Sequence, residues 1–161
     1  MSGAVRSHVE LDIRPSLEFV GSVRRFVSDV YDQLVRNQDA ASRIGVASHE
    51  LLENAVRCSA DGSVLLRIEI NRENPSDMIL VTRNRARTDD LATLQALVDE
   101  MRTAPDPLTH YMMLMRRNAR RTSGSGLGLA RIRAECDLDV VVSLDGDLVT
   151  IVATGRPGAA A

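Results

Sequence analysis

No lysine and no tryptophan occur in the chain, and its 20 basic residues are all arginine. Without lysine there is no Schiff-base chemistry and no Walker-type phosphate lysine, since both require the primary amine. Aromatic residues are almost as scarce. Two Tyr and two Phe are too few stacking platforms for a single-stranded nucleic-acid groove. A formal net charge of −2 lacks the basic excess that general nucleic-acid binding requires. The two cysteines, Cys58 and Cys136, form no disulfide framework and have no metal-ligand spacing. They read as small buried hydrophobes near helix ends, in a reducing compartment. No apolar run is long enough to span a bilayer, and residues 1–7 have no apolar segment ahead of a cleavage site. The expectation is a cytoplasmic protein that binds neither membrane nor nucleic acid.

What is present is an ordinary globular composition, 44% apolar and 26% charged over 161 residues. That is enough for a single domain with a genuine core, expected over 1–155 and followed by a loose tail at 156–161. Alternating Val9, Leu11 and Ile13 predict a half-buried strand over 8–13. Helical spacing predicts helices over 17–35 and 38–60, joined by a polar stretch at Arg36, Asn37 and Gln38. Strands are expected over 63–70 and 78–82. A helix capped by Thr88 should follow, with Asp89 and Asp90 at its positive end and Pro105 and Pro107 stopping it. A closing hairpin is expected over 140–144 and 148–153, around Asp145 and Gly146. The order β-α-α-β-β-α-α-β-β predicts an α+β two-layer sandwich, with helices covering one face of a mostly antiparallel sheet.

Two segments carry chemistry. In the helix over 38–60, Ile44, Ala47, Leu51, Ala55 and Cys58 share one arc, and Glu50, Asn54 and Arg57 form a polar stripe beside it. A carboxylate and a carboxamide on the edge of a buried face suit a helix lining a cavity; a merely solvated face is the plainer alternative. The second segment, Gly124-Ser125-Gly126-Leu127-Gly128-Leu129, opens a short helix running to about Cys136. Glycines ahead of a helix let backbone amides approach an anion at the positive dipole end. No βαβ unit follows, so this is not a dinucleotide-binding arrangement. Between the two lies the segment 108–121, with Tyr111, Met112, Met113, Leu114 and Met115 followed by Arg116, Arg117, Arg120 and Arg121. It reads either as a buried helix with a basic end or as an adaptable surface ordered by a ligand or partner.

Together, Glu50-Leu51-Leu52-Glu53-Asn54-Ala55 and the downstream glycine segment resemble the N box and G2 box of the GHKL (Bergerat-fold) ATP-binding superfamily. The resemblance covers nearly the whole chain. It implies that Asn54 ligates Mg²⁺, that Glu50 acts near the γ-phosphate and the attacking hydroxyl, and that Gly124, Ser125, Gly126, Leu127, Gly128 and Leu129 wrap the phosphates of ATP. The family's G1 box, Asp-x-Gly-x-Gly, is replaced by Arg83-Asn84-Arg85-Ala86. Asn84 then stands where the family's adenine-reading Asp would, offering a neutral carbonyl.

The chain is most similar to stand-alone anti-sigma-factor serine/threonine kinases. That similarity implies phosphoryl transfer to a STAS-domain antagonist, or capture of a sigma factor, in a bacterial partner-switching system. A homodimer is left open. Two alternatives remain: a binding module of the same fold that has lost nucleotide, and a detached histidine-kinase-like catalytic domain. Ser48-His49-Glu50-Leu51 echoes a phosphoacceptor box, but no dimerisation hairpin accompanies it. His49 likewise lacks the second His of a zinc motif.

Overall fold

A computed structural model describes residues 6–71, 73–74, 77–119 and 126–155. In chain order it contains β1 (Arg6–Ile13), α1 (Leu17–Val35), α2 (Gln38–Cys58), β2 (Val64–Asn71), β3 (Met78–Arg85), α3 (Thr88–Thr103), α4 (Pro107–Asn118), α5 (Leu127–Glu135), β4 (Leu138–Asp145) and β5 (Leu148–Gly155). The five strands form one sheet in the order β1-β2-β3-β5-β4, every neighbouring pair antiparallel. The fold is thus the expected α+β class.

Alternation along the strands sets the layers. Val64, Leu66, Ile68 and Ile70 of β2, Met78 and Leu80 of β3, and Val149, Ile151 and Ala153 of β5 all turn to one face and are buried. α2 covers that face with Ile44, Ala47, Leu51 and Ala55, and α5 adds Leu129, Ala130 and Ile132, all in one hydrophobic cluster. The intervening strand residues face the other way; Arg83 and Arg85 are exposed there, and Arg85 pairs with Asp147 at 2.6 Å.

Three sequence expectations change. Three helices, not two, separate β3 from β4. Asp106 caps α4 by accepting from the Thr109 amide at 2.8 Å, Pro107 begins it, and α5 starts afresh after Gly126, whose φ is +94°. β3 does not stop at Thr82 but pairs with β5 through Arg83↔Thr150 and Arg85↔Leu148. Asn84 therefore lies inside a strand. The cap of α3 is Arg87 rather than Thr88, and its guanidinium reaches Asp90 at 2.8 Å. The expected tail at 156–161 lies outside the described residues.

α1 rides on α2 through Val20, Val23, Val27 and Tyr31, all buried. The joint works as the polar stretch suggested: Asn37 caps α2 by accepting from the Ala40 amide at 3.0 Å. The helices approach closely at Gly45, where an added Cβ would overlap Ser28 Oγ, a hydroxyl that donates to the Ala41 carbonyl at 3.2 Å. Gly45→Leu is accordingly expected to destabilise the fold by roughly 1–3 kcal/mol through overpacking, measured as a lowered urea midpoint. An unchanged midpoint would mean that the α1–α2 seam is loose.

Candidate functional site

Among the described residues, a cavity of about 560 Å³ lies between the sheet, α2, α3 and the start of α5. Its size falls within the roughly 300–1,000 Å³ usual for small-molecule sites. Its wall includes Asn54 from α2, Asn84 from β3, Asp90, Leu97 and Glu100 from α3, Arg117 and Asn118 from the end of α4, and Gly126 and Leu129 at the start of α5. The helical and strand periodicities thus bring Asn54, Asn84, Gly126 and Leu129 together from three separate elements. Gly124 and Ser125 lie outside the described residues.

Asn84 sits on the inward face of β3, 5% exposed, and its Nδ2 has no hydrogen-bond partner among the described residues. Two residues earlier on the same face, Thr82 Oγ1 is also buried and unpartnered. An unpaired buried polar group costs roughly 1–3 kcal/mol, so a donor left open beside a cavity marks a place where a ligand can supply the acceptor. Arg83 and Arg85, its neighbours in sequence, do not fill the cavity, because the strand's alternation turns them to the opposite face. Beyond Asn84 the chain stays extended. Ala60 N–H donates to the Arg85 carbonyl at 2.7 Å and Ala86 N–H to the Asp147 carbonyl at 2.8 Å, so no glycine turn forms here.

Glycine is required at the other end of the site. A Cβ on Gly126 would lie 2.9 Å from Leu97 Cδ1, and one on Gly128 would lie 2.6 Å from Glu50 Oε2 and 3.4 Å from Asn54 Nδ2. The first turn of α5 therefore lies directly against the polar stripe of α2. Leu127, the first residue of α5, packs against the core. Asn54 makes no side-chain hydrogen bond to the described residues, and its carboxamide is open to the cavity.

Glu50 is not open in that way. Arg131 of α5 donates to its Oε1 at 3.0 Å and to Glu135 Oε2 at 2.7 Å. Its hydrogen bonds to those two carboxylates, Glu135 first, push the guanidinium pKa above its ordinary value, against the effect of burial. Arg57 turns outward and holds Glu53 at 2.6 Å. Arg131 was not visible as a site residue in the sequence, since it is 81 positions from Glu50.

α4 combines both sequence readings. His110, Tyr111 and Leu114 are buried, whereas Leu108, Met112, Met113 and Met115 are exposed. His110 Nε2 lies 3.3 Å from Glu100 Oε1 without hydrogen-bond geometry, and Arg117 closes on Glu100 at 3.2 Å. Glu100 and Asp90, the two carboxylates named in the cavity wall, are thus each already paired with an arginine.

Cys58 is half-buried on the cavity wall, and Cys136 is buried at the end of α5. Burial, with a smaller push from Asp90, raises the Cys58 thiol above its ordinary pKa, and burial raises Cys136 to about 11. Because the thiolate is the nucleophile, Cys58 is expected to alkylate slowly at neutral pH and faster as pH rises, with Cys136 protected until unfolding. A ligand in the cavity should slow Cys58 further. Mass spectrometry of iodoacetamide-treated protein reads this, and fast alkylation indifferent to ligand would remove Cys58 from the site.

With this geometry in place, comparison with known proteins adds one result. No family model and no curated protein matches the sequence. Among solved structures, the chain is similar to one in the crystal structure of the SiaB-SiaC complex from Pseudomonas aeruginosa, with a TM-score of 0.68 and 12% identity, covering 91% of this chain and 89% of that chain. What is shared is the fold. Among the described residues no helix is long and apolar enough to cross a membrane.

Proposed function

We propose that the protein is a partner-switching regulator whose cavity takes an adenine nucleotide with Mg²⁺, and that it acts as a serine/threonine protein kinase of the GHKL type. The observation that carries this reading is the convergence of Asn54, Asn84 and Gly126 on one cavity with an unpaired amide donor in its wall. ATP, when bound, supplies the γ-phosphoryl group.

The chain's own residues do the positioning. Asn84 presents a carboxamide to the edge of the base, where it can donate and accept side by side. The backbone amides at the start of α5, from Gly126 to Leu129, face the phosphates at the positive end of the helix. Asn54 offers one neutral oxygen to Mg²⁺. Mg²⁺ commonly takes only one or two protein ligands and completes its shell with phosphates and water. An acidic cluster is therefore not needed, and the described residues contain none with three or more His, Cys, Asp or Glu. Glu50 accepts the proton of the acceptor hydroxyl, and Arg131 fixes the direction in which its carboxylate points.

The partner in this reading is a protein: a STAS-domain antagonist bearing the acceptor Ser or Thr, or a sigma factor. Support comes from the similar chain having been crystallised in a two-protein complex, and from exposed Met112, Met113 and Met115 on α4, whose end lines the cavity. Methionines repack readily against different surfaces.

Calorimetric titration with Mg-ATP tests the nucleotide. Saturable binding to one site per chain is expected. Absence of binding by both the wild type and Asn84→Asp would favour a second reading, a nucleotide-free binding module. That reading has its own observation, the extended backbone through Arg85 where the family's glycine turn would be.

A further inference from the structure

We infer that the cavity takes guanine nucleotides about as readily as adenine nucleotides, because the group at the edge of the base is a carboxamide that no neighbour holds in one orientation. The inference rests on the nucleotide reading above and deepens it by widening the bases that the site admits.

The two purines present edges of opposite sense. Adenine offers a donor at its exocyclic amine and an acceptor at N1, whereas guanine offers an acceptor at O6 and a donor at N1. A carboxylate only accepts, so it satisfies the adenine amine and opposes guanine O6. A carboxamide carries a donor and an acceptor side by side, and turning it end for end exchanges them. Which way such an amide points is set by its hydrogen bonds. Asn84 is 5% exposed in the cavity wall, and its buried Nδ2 has no partner among the described residues. No internal hydrogen bond of that nitrogen is lost when the amide turns.

Thr82 extends this along the same inward face of β3. Its Oγ1 is also buried and unpartnered, and a hydroxyl donates or accepts according to how it rotates. The two polar side chains that β3 turns inward are thus both without a fixed sense.

The rest of the wall does not restore a preference. A free carboxylate would favour the adenine amine, but those in the wall are engaged. Asp90 is held by Arg87 at 2.8 Å and Glu100 by Arg117 at 3.2 Å. Ala55, Ala86, Leu129 and Ile151 are apolar and can cover the faces of a purine without reading its edge.

Separate calorimetric titrations of the full chain with Mg-ATP, Mg-GTP and Mg-CTP read the preference. The dissociation constants for ATP and GTP are expected to agree within roughly tenfold, since each base can make the same pair of hydrogen bonds. CTP should bind more weakly than either, because a single ring buries less apolar surface. Asn84→Asp, with its fold checked by circular dichroism, should tilt the ratio toward ATP by roughly ten- to a hundredfold. The wild-type comparison stands without that variant. A wild type that binds ATP but prefers it to GTP by more than about tenfold would overturn the inference and leave the nucleotide reading standing. CTP bound as tightly as ATP, or a ratio unmoved in folded Asn84→Asp, would show that Asn84 does not read the base and would overturn the inference too. No binding of any of the three by either protein would overturn the nucleotide reading itself, and the inference with it.

Discussion

Asn54→Ala is expected to lower Mg²⁺-dependent phosphoryl transfer by on the order of a hundredfold, the scale of removing one preorganised group from a site, without unfolding the protein. Asn54 lies on the polar edge of α2, where its carboxamide has no hydrogen bond to the described residues and lines the cavity. Truncating it breaks no internal bond and leaves no buried partner unsatisfied, so the cost falls on the ligand alone. The assay is transfer of phosphate to a purified partner domain, with circular dichroism as the control. Loss of the helical signal would instead make Asn54 a packing residue between α2 and the first turn of α5.

Asn84→Asp is expected to act in the opposite direction. A carboxylate at this position accepts from the exocyclic amine of adenine by a charge-assisted hydrogen bond, which is worth about 1–3 kcal/mol, or roughly ten- to a hundredfold in affinity. The gain should be absent for the purine nucleotide that lacks the 6-amino group. The same substitution should lower the melting temperature of the ligand-free protein, because a site 5% exposed desolvates the new carboxylate with no cation beside it. Weaker binding by the variant would show that the base does not sit against Asn84. The glycines of the family's G1 box do not need restoring with it. Ala86 is held in extended backbone by its hydrogen bond to Asp147, and a glycine there would loosen the strand end.

Much of this site was legible in the sequence because periodicity alone sorts side chains onto faces. The 3.6-residue period of α2 placed Leu51 and Ala55 in the core and Asn54 at its edge. The glycine segment marked the loop-to-helix step at Gly126, which lines the cavity. Partners brought together by tertiary packing were not legible. Nothing local in Glu50 indicates that Arg131 of α5 will hold it. Nor does the stretch Arg83-Asn84-Arg85 reveal that it continues β3, because that is settled by pairing with β5, 65 positions on at Asn84↔Val149. The consequence is functional, since strand alternation, rather than a turn, aims Asn84 inward. The methionines of α4 were ambiguous for a similar reason. An almost wholly apolar run carries no period, and only packing divides buried Tyr111 and Leu114 from exposed Met112 and Met113.

The most direct test of the central claim is an amide-resolved NMR titration of the labelled protein with Mg-ADP. The account predicts that the side-chain amides of Asn54 and Asn84, the backbone amides of Gly126 and Gly128 and the methyls of Leu97 shift together along one saturable curve, while α1 and the exposed sheet face stay fixed. Shifts confined to exposed arginines, or no change at Asn84 under saturation, would contradict it.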